Sequence, residues 1–307
     1  ALRWIRLLPL IQGRVFLKGR RPRLPELAAL YLLIGLLLVV RRKRHFFLLV
    51  TLSLIIVAGD AAYWYGQKWH RNDLRVTYLS VGYGDAAVVE FPGSKVLLID
   101  AGGSSPQGWD SGRSIIAPFL RSRRIKKVDY VLVTHPRVDH YGGMKSILEE
   151  FAPSEFWSSS LQAKTGRYRE LEKTADGLGI ERIVLRRNDG CRRVGEVRLC
   201  ISYPLGENPL ETSVVLRLTL GQYHFLFPGD IKKGDEQKLA NLGTEMSSHV
   251  LKVPRHGSYS SSSEVFVQAV KPKLAIFSVG GRNRFGLTRP EVVSRYLDSG
   301  SVILRSD

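Results

Sequence analysis

THPRVDHYGG, residues 134–143, decides how this sequence is read. It follows the apolar run VDYVLV and closes on two glycines. It therefore reads as a loop fed by a buried-type strand that delivers His135 at its C-terminal end. His135, Asp139 and His140 stand in the order His-x-x-x-Asp-His, a spacing that metal-dependent hydrolases use to hold two ions. The position between them that would carry a further His or Asp is Arg137. Arginine stays protonated and offers only donors, so it cannot ligate a metal.

The same design recurs outward from this stretch. KVLLIDAGG is a short apolar strand ending in Asp100, and YHFLFPGD ends in Asp230. HVLKVPRHGS presents Arg255 and His256 just after a strand, and YGDA places Asp85 between the strand-like runs LRVTYLSVG and AAVVEF. A lone Asp before Gly is usually a turn residue. Six His and Asp at strand ends are another matter, because side chains from separate strands converge there. His224 lies mid-strand and reads as a core or surface residue. His45 and His70 lack such a context, and His249 stays undecided. SIIAPFLRSRRI, GGMKSILEEF, KKGDEQKLANLG and SSEVFVQAVK read as helices, the last with a serine N-cap. Strands and helices in this order predict an α/β fold of two packed mixed sheets with helices outside.

The first quarter differs. Residues 1–69 hold 12 Lys/Arg and 2 acids, against 34 and 26 in residues 70–307. LAALYLLIGLLLVV (27–40) and FFLLVTLSLIIVAG (46–59) are uncharged runs of 14 residues, separated by a stretch that contains RRKRH. Extended through Leu24–Val40 and Phe46–Gln67 they read as a transmembrane pair, with Tyr63, Trp64 and Tyr65 as interfacial anchors. A buried helical pair is the alternative. Taking RRKRH as the cytoplasmic loop puts residues 70–307 on the outer side of the cytoplasmic membrane. The side on which residues 1–23 lie stays open. The division expected is a membrane segment, 1–69, and a folded domain, 70–307. The chain starts at Ala1 and stops at SVILRSD, which reads as an excerpt of a longer protein.

Cys191 and Cys200 are symmetric about Gly195–Glu196 in CRRVGEVRLC. A two-residue type II′ turn with Gly first would oppose the two cysteines directly, at a distance a disulfide can bridge. Two buried thiols are the other reading.

VTYLSVGYGDAAVVEFPGSKVLLIDAGG, VLVTHPRVDHYGG, SVVLRLTLGQYHFLFPGD, LKVPRHGSYSSSS and AIFSVGGRNRFGLTRPEVV together resemble the metallo-β-lactamase fold, and closely the C-terminal domain of the ComEC-type competence proteins. The match covers most of residues 75–295. It implies an αββα sandwich on the outer side of the membrane, next to the last helices of a DNA-uptake channel, that hydrolyses incoming DNA with divalent metal. Residue by residue, it implies metal ligands at His135, Asp139, His140, Asp230 and His256. It implies a supporting carboxylate at Asp100 and a nearby acid at Asp85. Arg137 and Arg255 depart from the pattern, as do Ser80 and Tyr83, which stand where Asp and Gln are usual. One metal position is thereby weakened. The other keeps Asp139, His140, Asp230 and His256, mixed donors that suit manganese, zinc or iron.

Two readings of the arginines follow. In the first, Arg137 and Arg255 bind a phosphate oxygen, and Asp139 or Asp230 accepts a proton. In the second the site is degenerate and the domain only guides DNA. The basic runs RSRRIKK (121–127, with Arg121, Arg123, Arg124, Lys126 and Lys127), RRNDGCRR (186–193) and GGRNR (280–284, with Arg282 and Arg284) are candidate DNA contacts without sequence preference. Tyr83, Tyr141 and Tyr259 are candidate platforms for unpaired bases. A small-ester or lactone hydrolase, with an apolar pocket in place of a basic groove, is the rival enzyme class.

Overall fold

Val96–Ile99 is buried at every position and Tyr130–Leu132 at all but the first, so neither shows the alternation of a half-exposed strand. Both are interior strands of a sandwich. The computed structural model describes residues 43–69, 73–105, 108–159, 165–185, 190–202, 213–241, 243, 245–280 and 286–306. In the first sheet the strands β1 (Arg75–Tyr78), β2 (Ala87–Glu90), β3 (Val96–Ile99), β4 (Tyr130–Leu132), β5 (Glu155–Ser159) and β6 (Glu181–Leu185) lie side by side in chain order. The β1–β2 and β2–β3 pairs are antiparallel, and the later pairs are parallel.

The second sheet repeats the plan. It holds β7 (Cys191–Val194), β8 (Val197–Ser202), β9 (Val215–Leu220), β10 (Tyr223–Phe227), β11 (Val250–Lys252), β12 (Leu274–Phe277) and β13 (Val302–Arg305), again side by side in chain order. Pairing is antiparallel from β7 to β10 and parallel from β10 to β13. Each half is thus an antiparallel meander that turns into a parallel run.

The two sheets face each other across one apolar layer. Tyr78, Val89, Leu97, Leu132 and Trp157 of the first meet Leu199, Leu216, Leu218, Phe227 and Ile276 of the second. Tyr78 and Phe227 stack with ring centroids 5.7 Å apart. Helices close the outer faces. On the first sheet, α2 (Ala117–Ser122), α4 (Met144–Phe151) and α5 (Gly166–Gly177) bury Leu120, Ile147, Leu148 and Leu171. In α4 the buried residues are Met144, Ile147, Leu148 and Phe151, the one-face spacing of an amphipathic helix. On the second sheet, α6 (Lys233–Asn241), α7 (Glu264–Val270) and α8 (Pro290–Asp298) bury Leu239, Phe266, Val267, Val292 and Tyr296. Ser263 caps α7 by accepting from Phe266 N, the N-cap expected of the serine run. The four layers are those of the expected sandwich.

The cysteines are paired as the hairpin geometry allows. Cys191 lies opposite Cys200 in the β7–β8 register and the two form a disulfide. Gly195 takes φ 58, the left-handed conformation that the first turn position requires.

The N-terminal expectation is reached only in part by the described residues. The run 27–40 lies outside the described residues. Residues 46–67 belong to one helix, α1 (Lys43–Trp69), which also takes in the last three residues of RRKRH. Among the described residues no helix is long and apolar enough to cross a membrane. The uncharged stretch stops at Asp60, whose carboxylate pairs with Arg124 of the sandwich at 2.7 Å. A charged contact with the folded domain therefore sits within the helix. Phe47, Leu48, Leu54, Ile55 and Val57 along it are exposed.

Candidate metal centre

The parallel strands of both halves point their C-terminal ends to one region, and the loops there are tightly fitted. The loop after β1 lies on the short helix α3 (Val138–Tyr141). Gly84 has φ 131, and a Cβ on it would stand 2.3 Å from the Asp139 carbonyl oxygen. Asp85 N donates to that oxygen at 3.2 Å, which fixes the Asp85 carboxylate beside His140. Gly229, with φ 58, lets the chain turn against Ser213, whose Oγ accepts from Asp230 N at 2.9 Å. After β11, Arg255 (φ 49), His256 (φ 54) and Gly257 (φ 79) are left-handed in succession. For the two residues with a Cβ this conformation costs roughly 1–3 kcal/mol each, a strain typical of functional sites.

Asp85, His140, Asp230 and His256 are all buried, and one ligand atom from each lies within 4.8 Å of the others. The partners behind them set the tautomers. His140 Nδ1 donates to Asp100 Oδ2 at 2.9 Å, so Nε2 faces Asp230 Oδ1 at 3.5 Å. His256 Nδ1 donates to the Ser278 carbonyl at 2.9 Å. Asp100 is itself held by Thr134 N (2.7 Å) and Thr134 Oγ1 (2.6 Å). Asp85 Oδ1, His140 Nε2, Asp230 Oδ1 and His256 Nε2 are buried with no hydrogen-bond partner. Each such group costs about 1–3 kcal/mol when unmet. Four of them aimed at one another fit a divalent ion with oxygen and nitrogen donors.

Three cations close around this group. Lys252, at the end of β11, is buried and its ammonium is bonded to Asp85 Oδ2. Arg137 places Nε 3.3 Å from Asp139 Oδ1 and Nη1 3.6 Å from Asp230 Oδ2, with its side chain 43% exposed. Arg255 Nη1 donates to the Asp230 carbonyl at 3.4 Å and lies 3.9 Å from Asp230 Oδ2. The guanidiniums therefore face Oδ2 of Asp230, whereas its Oδ1 faces His140 within the four-donor group.

Charge and burial compete here. Burial opposes a charge on His140, but the Asp100 and Asp230 carboxylates outweigh it and hold His140 well above the usual imidazole value. Burial would lift Asp230, but His140, His256 and Lys252 hold it well below the usual carboxylate range. A metal must displace the His140 proton, so its apparent affinity should rise about tenfold per pH unit until the folded-state value of His140 is passed. In the metal-free protein the sign is opposite. A raised imidazole adds stability below its unfolded value and loses it as pH rises through the folded one. The increase in Tm on adding manganese is therefore expected to grow as pH rises above the ordinary imidazole range toward the raised value of His140. Scanning fluorimetry with and without the ion checks this, and a pH-independent increase would contradict it.

The residues named from the sequence are not all brought together. His140, Asp230 and His256 converge, and the fourth member is Asp85, not Asp139. Asp139 is engaged through Oδ1 by Arg137, and its Oδ2 is buried without a hydrogen-bond partner. His135 lies edge-on to His140, with centroids 5.5 Å apart, and its Nδ1 meets Ser213 Oγ at 3.1 Å. Asp100 stands behind His140. Lys252 and Ser213 lie outside the His and Asp positions that mark the motifs of the sequence. A lysine inside the apolar strand VLKV is a signal for the first, since a buried ammonium demands a partner.

The basic run 121–127 sits at the N-terminal end of β4, away from the site. Arg121 is forked onto Glu150 (2.7 and 2.7 Å), Arg123 Nη2 donates to both carboxylate oxygens of Glu90 (3.2 and 3.3 Å), and Arg124 pairs with Asp60. Lys126 and Lys127 are exposed. Arg282 and Arg284 lie outside the described residues. Tyr141 is buried against Tyr168 and cannot stack on a base, whereas Tyr259 is exposed. Tyr83, 39% exposed, lies over His256 with centroids 5.5 Å apart.

A metal group built at the strand ends of an αββα sandwich is matched by sequence comparison. The profile described as metallo-beta-lactamase superfamily covers residues 79–281. The chain belongs to the metallo-beta-lactamase superfamily. It is 28% identical over 252 residues to ComE operon protein 3 of Bacillus subtilis (strain 168), covering 76% of this chain and 32% of that protein. It is 25% identical over 256 residues to Competence protein ComA of Neisseria gonorrhoeae, covering 83% of this chain and 34% of that protein. The resemblance to ComEC-type competence proteins is thereby shown, and the chain spans about a third of the length of these relatives. Among solved structures, the metallo-beta-lactamase fold protein YhfI from Bacillus subtilis shares the fold, with TM-score 0.51 and 12% identity over 75% of this chain and 94% of that one.

Proposed function

We propose that this member of the metallo-beta-lactamase superfamily is the phosphodiesterase domain of a DNA-uptake channel, acting on incoming DNA with a divalent ion, manganese or zinc. The observation that carries this is the placement of Arg137 and Arg255 over the Asp139–Asp230 side of the four-donor group. Asp85, His140, Asp230 and His256 would hold one ion, which supplies electrophilic polarisation at phosphorus. The chain's own residues supply the rest. Arg137, half-exposed above the group, grips a non-bridging phosphate oxygen as a fork. Arg255, facing the same Asp230 Oδ2, adds a second positive charge. Asp139 Oδ2, buried without a partner, accepts the proton of the attacking water. Asp100 and the Ser278 carbonyl keep both imidazoles turned toward the site.

The names of the competence relatives support DNA as the substrate. The Cys191–Cys200 disulfide supports an oxidising compartment, and so a position outside the cytoplasmic membrane for residues 70–307. Attachment through residues 1–69 to the membrane and to the rest of a channel belongs to the same reading.

One observation favours a DNA guide that does not cut. Lys252 and the two arginines already neutralise Asp85 and Asp230. The deciding experiment incubates the chain with end-labelled single-stranded DNA and manganese, beside Arg137→Asp. Cutting by the wild type is expected, with a loss of about 100-fold or more in the variant as the phosphate fork is removed. Salt-sensitive binding without cutting, together with activity gained by Arg137→Asp, would establish the guide instead.

A further inference from the structure

The outer face of the second sheet is covered over only part of its height. Val215, Leu226, Leu251, Ala275 and Phe277 are buried there beneath α6, α7 and α8. Nearer the N-terminal ends of β10, β11 and β12, that face carries polar side chains in a straight row. In the register Arg193 is opposite Arg198, Arg198 opposite Thr219, and Thr219 opposite His224. The parallel pairs Phe225–Val250 and Val250–Leu274 then set His249 beside His224 and Lys273 beside His249. The two imidazoles lie 5.4 Å apart. Arg193, Arg198 and Lys273 are exposed, and Thr219, His224 and His249 are half-buried. Six strands at about 4.8 Å spacing make a row of roughly 24 Å.

This arrangement is unfavourable without an anion. Like charges directly opposite each other weaken a strand pair, and Arg193 faces Arg198. The adjacent cross-strand pair on the same face is the Cys191–Cys200 disulfide, and Arg198 Nε donates to Cys200 Sγ at 3.2 Å. The hairpin is thus held together covalently where its charges repel. Glu245, an acid on this face, is already forked by Arg217 at 2.8 and 3.1 Å. Thr219 Oγ1 and His224 N occupy Nδ1 of His224 and His249, at 3.1 and 3.3 Å, which leaves Nε2 of each ring for another partner. Burial and then the neighbouring cations, Arg217 for His224 and Lys273 for His249, hold both imidazoles below their usual value. The local field is therefore positive.

We propose that this row binds the phosphodiester backbone of a nucleic-acid strand, as a holding surface separate from the candidate metal centre. The identification of the polyanion rests on the proposed function. The row is one residue wide and many strands long, which fits a linear polyanion better than a broad plane of lipid headgroups. It crosses β10 at His224 on the outer face, whereas Asp230 follows the C-terminal end, beyond roughly 10 Å of strand and the turn at Gly229.

The test measures binding of the full chain to a fluorescent single-stranded oligonucleotide of about 30 nucleotides across a salt series. Each lost phosphate contact lowers the slope of log affinity against log salt by about 0.7. Arg193→Thr/Arg198→Thr should lower it by about 1.4 and Lys273→Gln by about 0.7, with manganese affinity and hydrolysis of a small chromogenic phosphodiester unchanged. If the double variant does not fold, Lys273→Gln and the single variant Arg193→Thr give the reading. An unchanged slope overturns the proposal. So does lost binding to phosphatidylglycerol vesicles with DNA binding retained, which assigns the row to a membrane surface. A wild type that cuts neither substrate but binds DNA through this row would overturn the catalytic reading and keep this one.

Discussion

Asp230→Ala is expected to lower the affinity for manganese by at least about 100-fold, and DNA cleavage by the same factor or more. Asp230 is the hinge of the charge arrangement. Its Oδ1 faces His140 Nε2, and its Oδ2 faces Arg137 and Arg255. The substitution removes one donor and leaves three cationic groups without their common anion. Isothermal titration with manganese reads the first effect, and single-turnover cutting of labelled DNA reads the second. Asp230→Asn keeps the volume and should fail in the same way, since the charge is what matters. Acid stability supplies an independent check. A carboxylate held well below its ordinary range stabilises the fold above its unfolded value, and that contribution disappears as pH falls through the folded one. The wild type should therefore lose stability on strong acidification along a limb that both variants lack. Unaltered manganese affinity in Asp230→Ala would remove Asp230 from the site.

Lys252→Met should act in opposite directions on stability and on metal binding. In the metal-free protein Lys252 is the main group that keeps the buried Asp85 carboxyl below its usual range, against the upward push of burial. Removing one partner of a buried ion pair costs about 3–5 kcal/mol, and methionine fills the space without replacing the charge. A urea titration of the metal-free variant should show that loss. Adding manganese should restore much of it, because the ion takes over the neutralising role. The variant should also bind manganese more tightly, by about an order of magnitude, once a competing cation is gone. A metal-free variant as stable as the wild type would rule out this role for Lys252.

The sequence displayed the layers and the strand-end residues because both come from local signals. Strands such as VLLI and YVL are buried on both faces and read as continuous apolar runs, and each is followed by its Asp or His within three residues. The disulfide was legible for a similar reason, because two cysteines symmetric about Gly195–Glu196 encode a register. What stayed hidden depends on residues distant in the chain. Asp85 looked like a neighbour to the site, since YGDA is also a plain turn. Only the packing of Gly84 on Asp139 brings its carboxylate to His140. Lys252 sits inside the apolar run VLKV, which hides its partner in a distant loop. Arg121, Arg123 and Arg124 looked like a basic face, whereas their partners Glu150, Glu90 and Asp60 lie 29, 33 and 64 residues away.

The repeated plan of the two halves has a consequence for assembly. Asp85 and His140 come from the first meander-and-parallel unit, and Asp230 and His256 come from the second. Neither unit alone can present more than two of the four donors. A bound ion therefore works as a fastener across the seam between the sheets, and its capture should follow docking of the halves. Release of the ion should loosen the sandwich along that seam before either sheet unravels.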